Sequence, residues 1–344
     1  MKSIFIHSAM DLRIEDYPVE TISSNQVEIS LAIGGICGTD LHYYKHGGFG
    51  EIKLKEPMVL GHEVSGHITK IGSKVTNVNL GQLVSVSPSR PCNKCSFCLE
   101  GSQIHCVNMK FYGSAMPFPH IQGAFRETLI ANDYQCIPAD GLTSGEAAMA
   151  EPLAVCLHAI KQAGSIFGKK VLVTGSGPIG TLCVLAARRA GAAEIVVTDI
   201  SNSALSYSSL VGADITINSL ENYSSLEKFQ SGKGFFDIAL ECSGSSSGIK
   251  DAIKCLRPKG TLVQLGLGGD ILMPLVAVTT KELNIKGSFR FYTEFQLAVE
   301  MMQKKLINVA PLITHTIPFK DAEKGFEIAM DNHTNSMKVQ IAFN

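Results

Sequence analysis

The fold of this chain is decided by one stretch, Val171-Leu172-Val173-Thr174-Gly175-Ser176-Gly177-Pro178-Ile179-Gly180. Its glycine-rich half fits the pattern G-x-G-x-x-G, follows a β-branched run and opens a helix-like segment, which is the context that indicates a dinucleotide site. Gly175 permits a tight turn, Gly177 lets the backbone approach a pyrophosphate, and Gly180 lets helix and strand pack closely. Pro178 and Ile179, within the same pattern, are further candidate cofactor-binding residues, and the N-terminus of the helix that follows offers free N–H groups to an anion.

Asp199 follows nineteen residues after Gly180, at the end of the next predicted strand. Its carboxylate is expected to accept hydrogen bonds from the adenosine ribose hydroxyls and to repel a 2′-phosphate. The residues Ile200–Ser203 contain no Arg or Lys to offset that repulsion. The sequence therefore favours NAD over NADP. The alternative interpretation is a glycine-rich structural turn that binds nothing.

Strand-like and helix-like segments alternate around this turn. Strands are predicted over 171–173, 194–198, 214–218, 236–241, 261–266 and 283–288, and helices over 181–190 and 202–210. This alternation predicts an α/β fold with a doubly wound parallel sheet and right-handed crossovers. Two helix-like segments (294–305 and 320–330) and a β-like run (338–343) close the chain, and the serine-rich residues 243–247 are interpreted as a brief turn.

The first 150 residues have a different texture. Short β-like runs at 26–33, 64–71 and 83–87 lie between glycines and prolines, and helical periodicity is sparse. This pattern predicts a β-rich domain with long functional loops. The whole chain has 344 residues, 45% apolar and 18% charged, which suits about two domains with substantial cores.

Composition excludes several classes of protein. Lys and Arg number 30 against 31 Asp and Glu, a net charge of −1, so a large basic surface for nucleic acid is not expected. The longest uncharged stretch, 171–187, contains a proline and three glycines and is shorter than the roughly 20 residues of a membrane-spanning helix. Residues 1–13 lack the apolar region and cleavage site of a signal peptide. We therefore expect a cytoplasmic protein that binds neither nucleic acid nor membrane.

Four of the ten cysteines fall within fifteen residues, as Cys92, Cys95, Cys98 and Cys106. In a reducing compartment, clustered cysteines are metal ligands more often than disulfides. Four thiolates at this spacing predict a closed tetrahedral zinc site, which is structural because no position is left for substrate. The long last gap argues against an iron–sulfur cluster, and the non-basic flanks argue against a nucleic-acid-binding zinc finger. His105 is expected to be a bystander.

A second group of candidate ligands combines Cys37 with His62 and Glu63. Cysteine, histidine and a carboxylate can hold Zn²⁺ with one position open for substrate. Such an ion lowers the pKa of a bound alcohol, which must lose its proton when a hydride leaves for a nicotinamide. Thr39 and His42 are candidates for a relay that carries this proton outward. The alternative is that Cys37 is a core residue and His62 a structural histidine.

Taken in order along the chain, these motifs resemble the zinc-dependent medium-chain dehydrogenases, within them most closely the polyol branch that includes sorbitol and xylitol dehydrogenases. The resemblance covers essentially the whole chain. It rests on residues 35–42, Gly61-His62-Glu63, the four-cysteine loop, Glu151-Pro152-Leu153 and residues 175–180.

The family fold implies three segments. Residues 1–150 would form a GroES-like β-rich catalytic domain that holds a catalytic and a structural zinc site. Residues 151–287 would form the Rossmann dinucleotide-binding domain. Residues 288–344 would return to complete the catalytic domain.

The resemblance also implies roles for the metal ligands. Cys37 and His62 would bind the catalytic zinc directly, and a glutamate would complete the sphere, directly or through water. Glu63 and Glu151 are the two matching positions, of which we rank Glu151 first. The four cysteines of the loop match the structural zinc lobe of the family.

The candidate substrate-binding residues are suggested by one difference between this sequence and the polyol branch. Arg290-Phe291 stands where an Arg-Tyr pair is frequent, so a polar contact to a sugar hydroxyl is lost. An acid substrate needs a cation for its carboxylate; Arg290, which could bind hydroxyls or the carboxylate, is the first candidate, and Lys110 and Lys45 are weaker ones. Glu151 and Tyr44 are further candidate substrate contacts, with core packing as the alternative for Tyr44.

The resemblance implies an oxidoreductase that moves a hydride between NAD and a secondary alcohol of a sugar acid. A neutral polyol is the alternative substrate, and a non-catalytic zinc-binding structural protein is a further alternative. Two Zn²⁺ ions per chain, NAD rather than NADP, and a homo-oligomer, a dimer or tetramer, are expected with it.

Overall fold

The computed structural model describes residues 1–331 and 335–343, so residues 332–334 and 344 of the predicted C-terminal segment lie outside the described residues. None of the described helices is both long enough and apolar enough to cross a membrane.

The chain divides into two compact units. The first comprises Met1–Glu151, Phe295–Lys305 and Ile313–Asn344, and the second comprises Pro152–Glu294 and Leu306–Leu312. The domain boundaries given above from the sequence stay a prediction.

The strands, in chain order, are β1 Lys2–Ser8, β2 Asp11–Asp16, β3 Gln26–Gly35, β4 Gly48–Phe49, β5 Ile52–Lys53, β6 Met58–Val59, β7 Glu63–Ile71, β8 Leu83–Val86, β9 Ser89–Arg90, β10 Lys110–Phe111, β11 Thr128–Asn132, β12 Cys136–Pro138, β13 Lys170–Thr174, β14 Glu194–Asp199, β15 Ile215–Asn218, β16 Phe236–Glu241, β17 Leu256–Gln264, β18 Asn284–Gly287, β19 Ile313–Pro318 and β20 Lys338–Ala342. The α-helices are α1 Gly38–His46, α2 Ser96–Leu99, α3 Ser144–Ala148, α4 Ala150–Ala163, α5 Pro178–Arg189, α6 Asn202–Leu210, α7 Ser224–Glu227, α8 Ser246–Cys255, α9 Leu275–Thr280, α10 Glu294–Gln303 and α11 Ala322–Met330.

The first unit is built on a mixed sheet with the strand order β12-β8-β7-β3-β20-β19, in which β11 also pairs with β3. Successive side chains of β3 point to opposite faces of the sheet. Val27, Ile29 and Leu31 share one of these faces and are completely buried, as expected of the face that covers a core. The structure therefore shows the β-rich secondary structure that the sequence predicts for this part of the chain.

The second unit is built on a six-stranded sheet in which every pair of neighbouring strands is parallel. Its order, β15-β14-β13-β16-β17-β18, reverses direction at β13. The residues Val171–Val173 of β13 are completely buried, as expected of a central strand with helices on both faces. The predicted doubly wound α/β fold is confirmed. The carboxyl end of β13 lies at the switch point of the strand order, where such folds bind ligands.

Several described helices were not predicted from the sequence, and the two longest of them are α4 and α8. Helix α8 begins where the sequence predicts only a serine-rich turn, because the Ser245 hydroxyl accepts a hydrogen bond from the Gly248 N–H and caps the helix. Helix α4 has no sequence prediction at all. Most of its residues are buried, so the helix lacks an exposed polar face. Without such a face, the sequence does not show the alternation of apolar and polar residues that is typical of an amphipathic helix.

Candidate functional site

The structure brings Cys37, His62 and Glu63 together in the first unit. Their ligand atoms all lie within 4.8 Å of one another. Cys37 is the N-cap of α1, and Glu63 opens β7, where it pairs with Gly35 of β3. A Cβ atom on Gly35 would stand 2.2 Å from the Glu63 carboxylate, so glycine at this position leaves the space that the carboxylate occupies.

Asp40 organises the two loops that carry these ligands. Its carboxylate accepts a hydrogen bond from the Cys37 N–H at 3.1 Å and another from the Gly61 N–H at 3.2 Å. One oxygen lies 3.8 Å from Nδ1 of His62, a buried nitrogen that has no hydrogen-bond partner in the described structure. A metal on the other ring nitrogen would fix His62 with Nδ1–H facing Asp40, the usual arrangement behind a ligating histidine. No role was predicted for Asp40 from the sequence, although an acidic residue at the third position of a helix is a signal for N-terminal capping.

Glu63 is held by a cation that sequence reasoning also missed. Nζ of Lys338 donates to Oε1 of Glu63 at 2.8 Å and lies 2.5 Å from Oε2, and both side chains are buried. The same ammonium donates to the Ile36 carbonyl at 3.1 Å. The lysine at the start of a mainly apolar strand was the available signal for this pair, because a buried ammonium requires a partner.

Glu151 lies outside the group of atoms that share the 4.8 Å limit, whereas Glu63 lies within it. Glu151 is nevertheless buried, and its charge raises the pKa of the Cys37 thiol. The choice between Glu63 and Glu151 as the third ligand stays a prediction.

The electrostatics of this site favour a cation. Burial first, and then the charge of Glu63, raise the pKa of the Cys37 thiol well above its ordinary value, and Asp40 and Glu151 act in the same direction. Against these three carboxylates Lys338 supplies one positive charge. Thiol, imidazole and carboxylate are the donors that open zinc sites use. The residues present therefore fit a divalent zinc ion.

Thr39 and His42 lie half-buried, three residues apart and so on one face of α1. No hydrogen bond joins them in the part of the chain that the structure describes. Burial first, and then the charge of His46, lower the pKa of His42. His42 is therefore neutral near pH 7 and able to accept a proton, as a relay requires.

Tyr44 is placed differently from its predicted role. It is 1% exposed, its hydroxyl donates to Glu323 at 3.3 Å, and its ring meets the edge of Phe326 at 5.3 Å between centroids. The structure thus packs Tyr44 into the core of the first unit, as the alternative interpretation of this residue predicts.

The four cysteines of the loop also converge, with all four sulfurs within 4.8 Å of one another. Cys95 caps the short helix α2, which carries Cys98, and Sγ of Cys106 accepts a hydrogen bond from the Cys92 N–H at 3.1 Å. Backbone N–H groups, that of Lys94 first, lower the pKa of Cys92 to about 6. Four converging sulfurs fit a closed tetrahedral zinc site. The neighbouring His105 is exposed and lies outside this group.

The glycine-rich turn of the second unit has the shape that a pyrophosphate needs. Gly175 has φ +90°, a conformation that other residues rarely adopt. A Cβ on Gly180 would stand 1.8 Å from the Gly175 carbonyl oxygen, whereas a Cβ on Gly177 would meet no atom within 4 Å. Gly177 is the N-cap of α5, followed by Pro178 and Ile179 in its first turn. The open side of the turn therefore exposes the N-terminus of α5.

Asp199 lies at the carboxyl end of β14, beside this turn. Its carboxylate accepts hydrogen bonds from the Ser176 N–H at 2.6 Å and from the Ser201 N–H at 2.8 Å. These bonds tie Asp199 to the turn and to the start of α6, which Ser201 caps. Each carboxylate oxygen retains capacity to accept a further hydrogen bond, such as one from a ribose hydroxyl.

Glu241 supports the same edge of the sheet and was not found from the sequence. This carboxylate is completely buried and accepts hydrogen bonds from the Gly244 N–H at 3.0 Å and from Nε2 of Gln264 at 2.6 Å. It thereby joins the loop that follows β16 to the end of β17. Its signal was weak, because a glutamate at a strand end predicts neither burial nor partners.

Arg290 lies in the second unit, just before α10, with φ +54°. Its guanidinium stacks over the Phe289 ring at 4.8 Å from the centroid. Its role toward a substrate stays a prediction.

Two family models match the chain. Residues 23–141 match the alcohol dehydrogenase GroES-like domain, and residues 178–304 match the zinc-binding dehydrogenase domain. The first match contains the candidate ligands Cys37, His62 and Glu63 and all four loop cysteines, and the second begins at the first helical residue after the glycine-rich turn.

Known relatives resemble the chain over nearly its whole length. The L-idonate 5-dehydrogenase (NAD(P)(+)) of Escherichia coli K12 is 40% identical over 323 residues, 93% of each chain. The sorbitol dehydrogenase of Bos taurus is 38% identical over 330 residues, which cover 94% of this chain and 92% of the relative. The crystal structure of the E. coli L-idonate 5-dehydrogenase superposes with a TM-score of 0.95 at 37% identity, covering 99% of this chain and 97% of the other.

Proposed function

Since the chain belongs to the polyol branch of the zinc-dependent medium-chain alcohol dehydrogenases, and is an NAD(P)-linked oxidoreductase acting on CH–OH groups of polyols or sugar acids, we propose that its substrate is L-idonate. The reaction would interconvert L-idonate and 5-keto-D-gluconate. The convergence of Cys37, His62 and Glu63 carries the proposal of alcohol chemistry, and the 40% identity to an L-idonate 5-dehydrogenase supports the choice of substrate.

The reaction chemistry divides between the bound groups and the chain. Zinc held by Cys37 and His62, with Glu63 or Glu151, would supply a Lewis acid toward the alcohol oxygen. The chain itself contributes the proton path, in which Thr39 and the neutral imidazole of His42 accept the alcohol proton and pass it outward. Asp40 holds the loops of Cys37 and His62 in place.

The proposed cofactor is NAD. The open side of the turn at Gly177 would receive the pyrophosphate, and Asp199 would accept hydrogen bonds from the adenosine ribose. The four loop cysteines would hold a second zinc ion with a structural role.

Arg290 is the proposed partner of the substrate carboxylate, because a guanidinium can bind a carboxylate through two hydrogen bonds. A neutral polyol is the second candidate substrate. The 38% identity to a sorbitol dehydrogenase favours it almost equally. Only the sugar acid carries a carboxylate, so the contribution of Arg290 separates the two candidates.

The test is a substrate panel with zinc-loaded enzyme. L-idonate, sorbitol, xylitol, D-gluconate and L-threonine are each supplied with NAD and with NADP, and zinc content is measured in the same preparation. We expect about two zinc ions per chain and the highest kcat/KM with L-idonate and NAD. Loss of turnover on chelation is expected as well.

The variant Arg290→Ala should raise the KM for L-idonate and leave that for sorbitol nearly unchanged, with Arg189→Ala, an exposed arginine on α5, as the matched control. A higher kcat/KM with sorbitol or xylitol would replace the sugar acid by a polyol. Zinc-loaded, folded protein inactive on the whole panel would support the non-catalytic alternative instead.

We further propose a cytoplasmic homo-oligomer. All ten cysteines are free thiols, which suits a reducing compartment. The edge strand β18 is exposed along its whole length, and in the adjacent α9 Leu275 is 65% and Val276 78% exposed. An uncovered sheet edge beside exposed apolar side chains is typical of a surface that pairs with another copy.

A further inference from the structure

Three cysteines of the second unit form a cluster that the proposed reaction does not use. Sγ of Cys183, in α5, lies 3.8 Å from Sγ of Cys242, the residue that directly follows β16. The third member, Cys156 of α4, donates its S–H to the Ile179 carbonyl at 3.3 Å. We call Cys156, Cys183 and Cys242 the thiol cluster.

The thiol cluster lies directly behind the dinucleotide turn. A Cβ on Gly180 would stand 3.6 Å from Cβ of Cys242. The next residue, Ser243, packs on the other glycine of the turn, since a Cβ on Gly175 would stand 2.8 Å from the Ser243 nitrogen. Cys183 and Cys242 therefore belong to the two elements, α5 and the loop after β16, that hold the turn between them.

The members of the cluster differ in access and acidity. Cys183 is completely buried, whereas Cys242 is half-buried. Hydrogen bonds from Cys156 and then from Cys242 lower the pKa of Cys183 to about 5, whereas the hydrogen bond to Cys183 and then burial raise the pKa of Cys242. The cluster thus holds a thiolate at neutral pH, and the thiolate is the reactive form of cysteine.

We propose that Cys183 and Cys242 are an oxidative modification site, at which a peroxide converts the two thiols into a reversible disulfide beside the dinucleotide turn. Because the two sulfurs are in contact, the Cys183 thiolate can accept the thiol proton of Cys242, the less buried member, in step with attack by the Cys242 sulfur. That sulfur attacks hydrogen peroxide, gains one oxygen as a sulfenic acid and releases water. Cys183 then attacks the sulfenic sulfur, the S–S bond forms and a second water leaves. In sum, two thiols and one peroxide give one disulfide and two waters.

The effect of a disulfide on the dinucleotide turn follows from the distance between the two sulfurs. The sulfurs must approach from 3.8 Å to an S–S bond of about 2 Å, which draws α5 and the loop after β16 toward each other. Gly175 has little room for this movement, because a Cβ at that position would already stand 2.8 Å from the Ser243 nitrogen. We expect oxidation to weaken NAD binding, an effect that rests on the proposed function, whereas formation of the disulfide does not.

Peptide mapping tests the disulfide directly. The zinc-loaded, cofactor-free enzyme is treated with hydrogen peroxide, its remaining thiols are alkylated, and it is digested with trypsin without reduction. Peptides 171–188 and 234–250 each carry one cysteine, Cys183 and Cys242 respectively. We expect these two peptides to be joined by a bond that dithiothreitol cleaves. The variants Cys183→Ala and Cys242→Ser should each lack the linked pair, and Cys255→Ala, a buried cysteine outside the cluster, should retain it.

Titration with NAD before and after oxidation tests the effect. We expect at least about fivefold weaker binding after oxidation, restored by dithiothreitol and absent in Cys183→Ala and Cys242→Ser. A link between peptides 171–188 and 127–161, which would join Cys183 to Cys156 or Cys136, would overturn the assignment, and so would over-oxidised Cys242 without any link. A mapped disulfide with unchanged NAD binding would overturn its effect on the turn. Reduced enzyme that fails to bind NAD would count against the proposed function, while the peptide map would still decide the disulfide.

Discussion

Cys37 illustrates how one residue serves both the fold and the site. Its backbone N–H is bound by Asp40 and fixes the start of α1, while its thiol joins His62 and Glu63. The charge of Glu63 and the burial that raise the thiol pKa would both be compensated by a divalent cation, which takes the thiolate as ligand. Replacement of the sulfur should therefore affect the metal before it affects the fold.

The variant Cys37→Ser tests this at the metal. We expect zinc content to fall from about two to about one ion per chain and kcat/KM to fall by about 100-fold or more, equivalent to roughly 3 kcal/mol of lost transition-state stabilisation. NAD affinity, measured by titration, should be unchanged, because the dinucleotide turn lies in the second unit. Full activity in this variant would remove Cys37 from the site.

His42 predicts a pH dependence. Its lowered pKa keeps the imidazole neutral, and so able to accept a proton, to a lower pH than for an ordinary histidine. His46→Gln removes a positive neighbour that lowers this pKa, so the pKa of His42 rises. The acidic limb of the kcat/KM profile for alcohol oxidation should move to higher pH. His105→Gln, on the exposed loop, is the control, and an unmoved profile in His46→Gln would argue against His42 as proton acceptor.

Asp199 predicts the choice between the two cofactors. Asp199→Asn keeps an oxygen that can accept from the Ser176 N–H but removes the charge that repels a 2′-phosphate. The ratio of kcat/KM with NADP to that with NAD should rise about tenfold, or about 1.4 kcal/mol. Asp270→Asn, an exposed acid of the same unit, should leave the ratio unchanged. If Asp199→Asn does so as well, the carboxylate does not select the cofactor.

At the scale of elements, the four-cysteine loop contains little regular structure apart from α2, a helix of four residues. Such a loop buries too little apolar surface to order itself, so a metal crosslink is the natural source of its order. The acidity of Cys92, which backbone N–H groups lower to about 6, prepares the loop for a cation. Loss of one ligand should therefore be seen in stability rather than in chemistry.

The variant Cys95→Ser tests the loop and is the counterpart of Cys37→Ser. Zinc content should again fall to about one ion per chain. Tm should fall by several degrees, since each 1 kcal/mol lost corresponds to about 2–4 °C in a domain of this size. Turnover per folded chain should stay near that of the parent enzyme. An unchanged Tm together with slower hydride transfer would show that the structural role is wrong.

At the scale of the whole molecule, the parallel sheet has two edge strands, β15 and β18, and the latter has every residue exposed. Unpaired backbone groups beside Leu275 and Val276 are a costly surface for an isolated chain. We expect light scattering coupled to size-exclusion chromatography to give at least twice the mass of one chain. Val276→Glu should shift the protein toward one chain, whereas Leu220→Glu, an exposed leucine near β15, should not. A parent protein that elutes as a single chain would contradict the proposal.

The sequence by itself determined what depends on neighbours along the chain: the turn from Gly175 to Gly180, the strand and helix around it, and the four cysteines within fifteen residues. Tertiary structure decided the rest. Lys338 meets Glu63 across 275 residues, Asp40 comes to face His62, and Tyr44 turns into the core. The reason is that local secondary structure follows from backbone preferences and from the period of hydrophobic residues, and a short segment of sequence contains both. Which buried charges meet depends instead on how distant strands pair in one sheet, and no window of sequence contains that pairing.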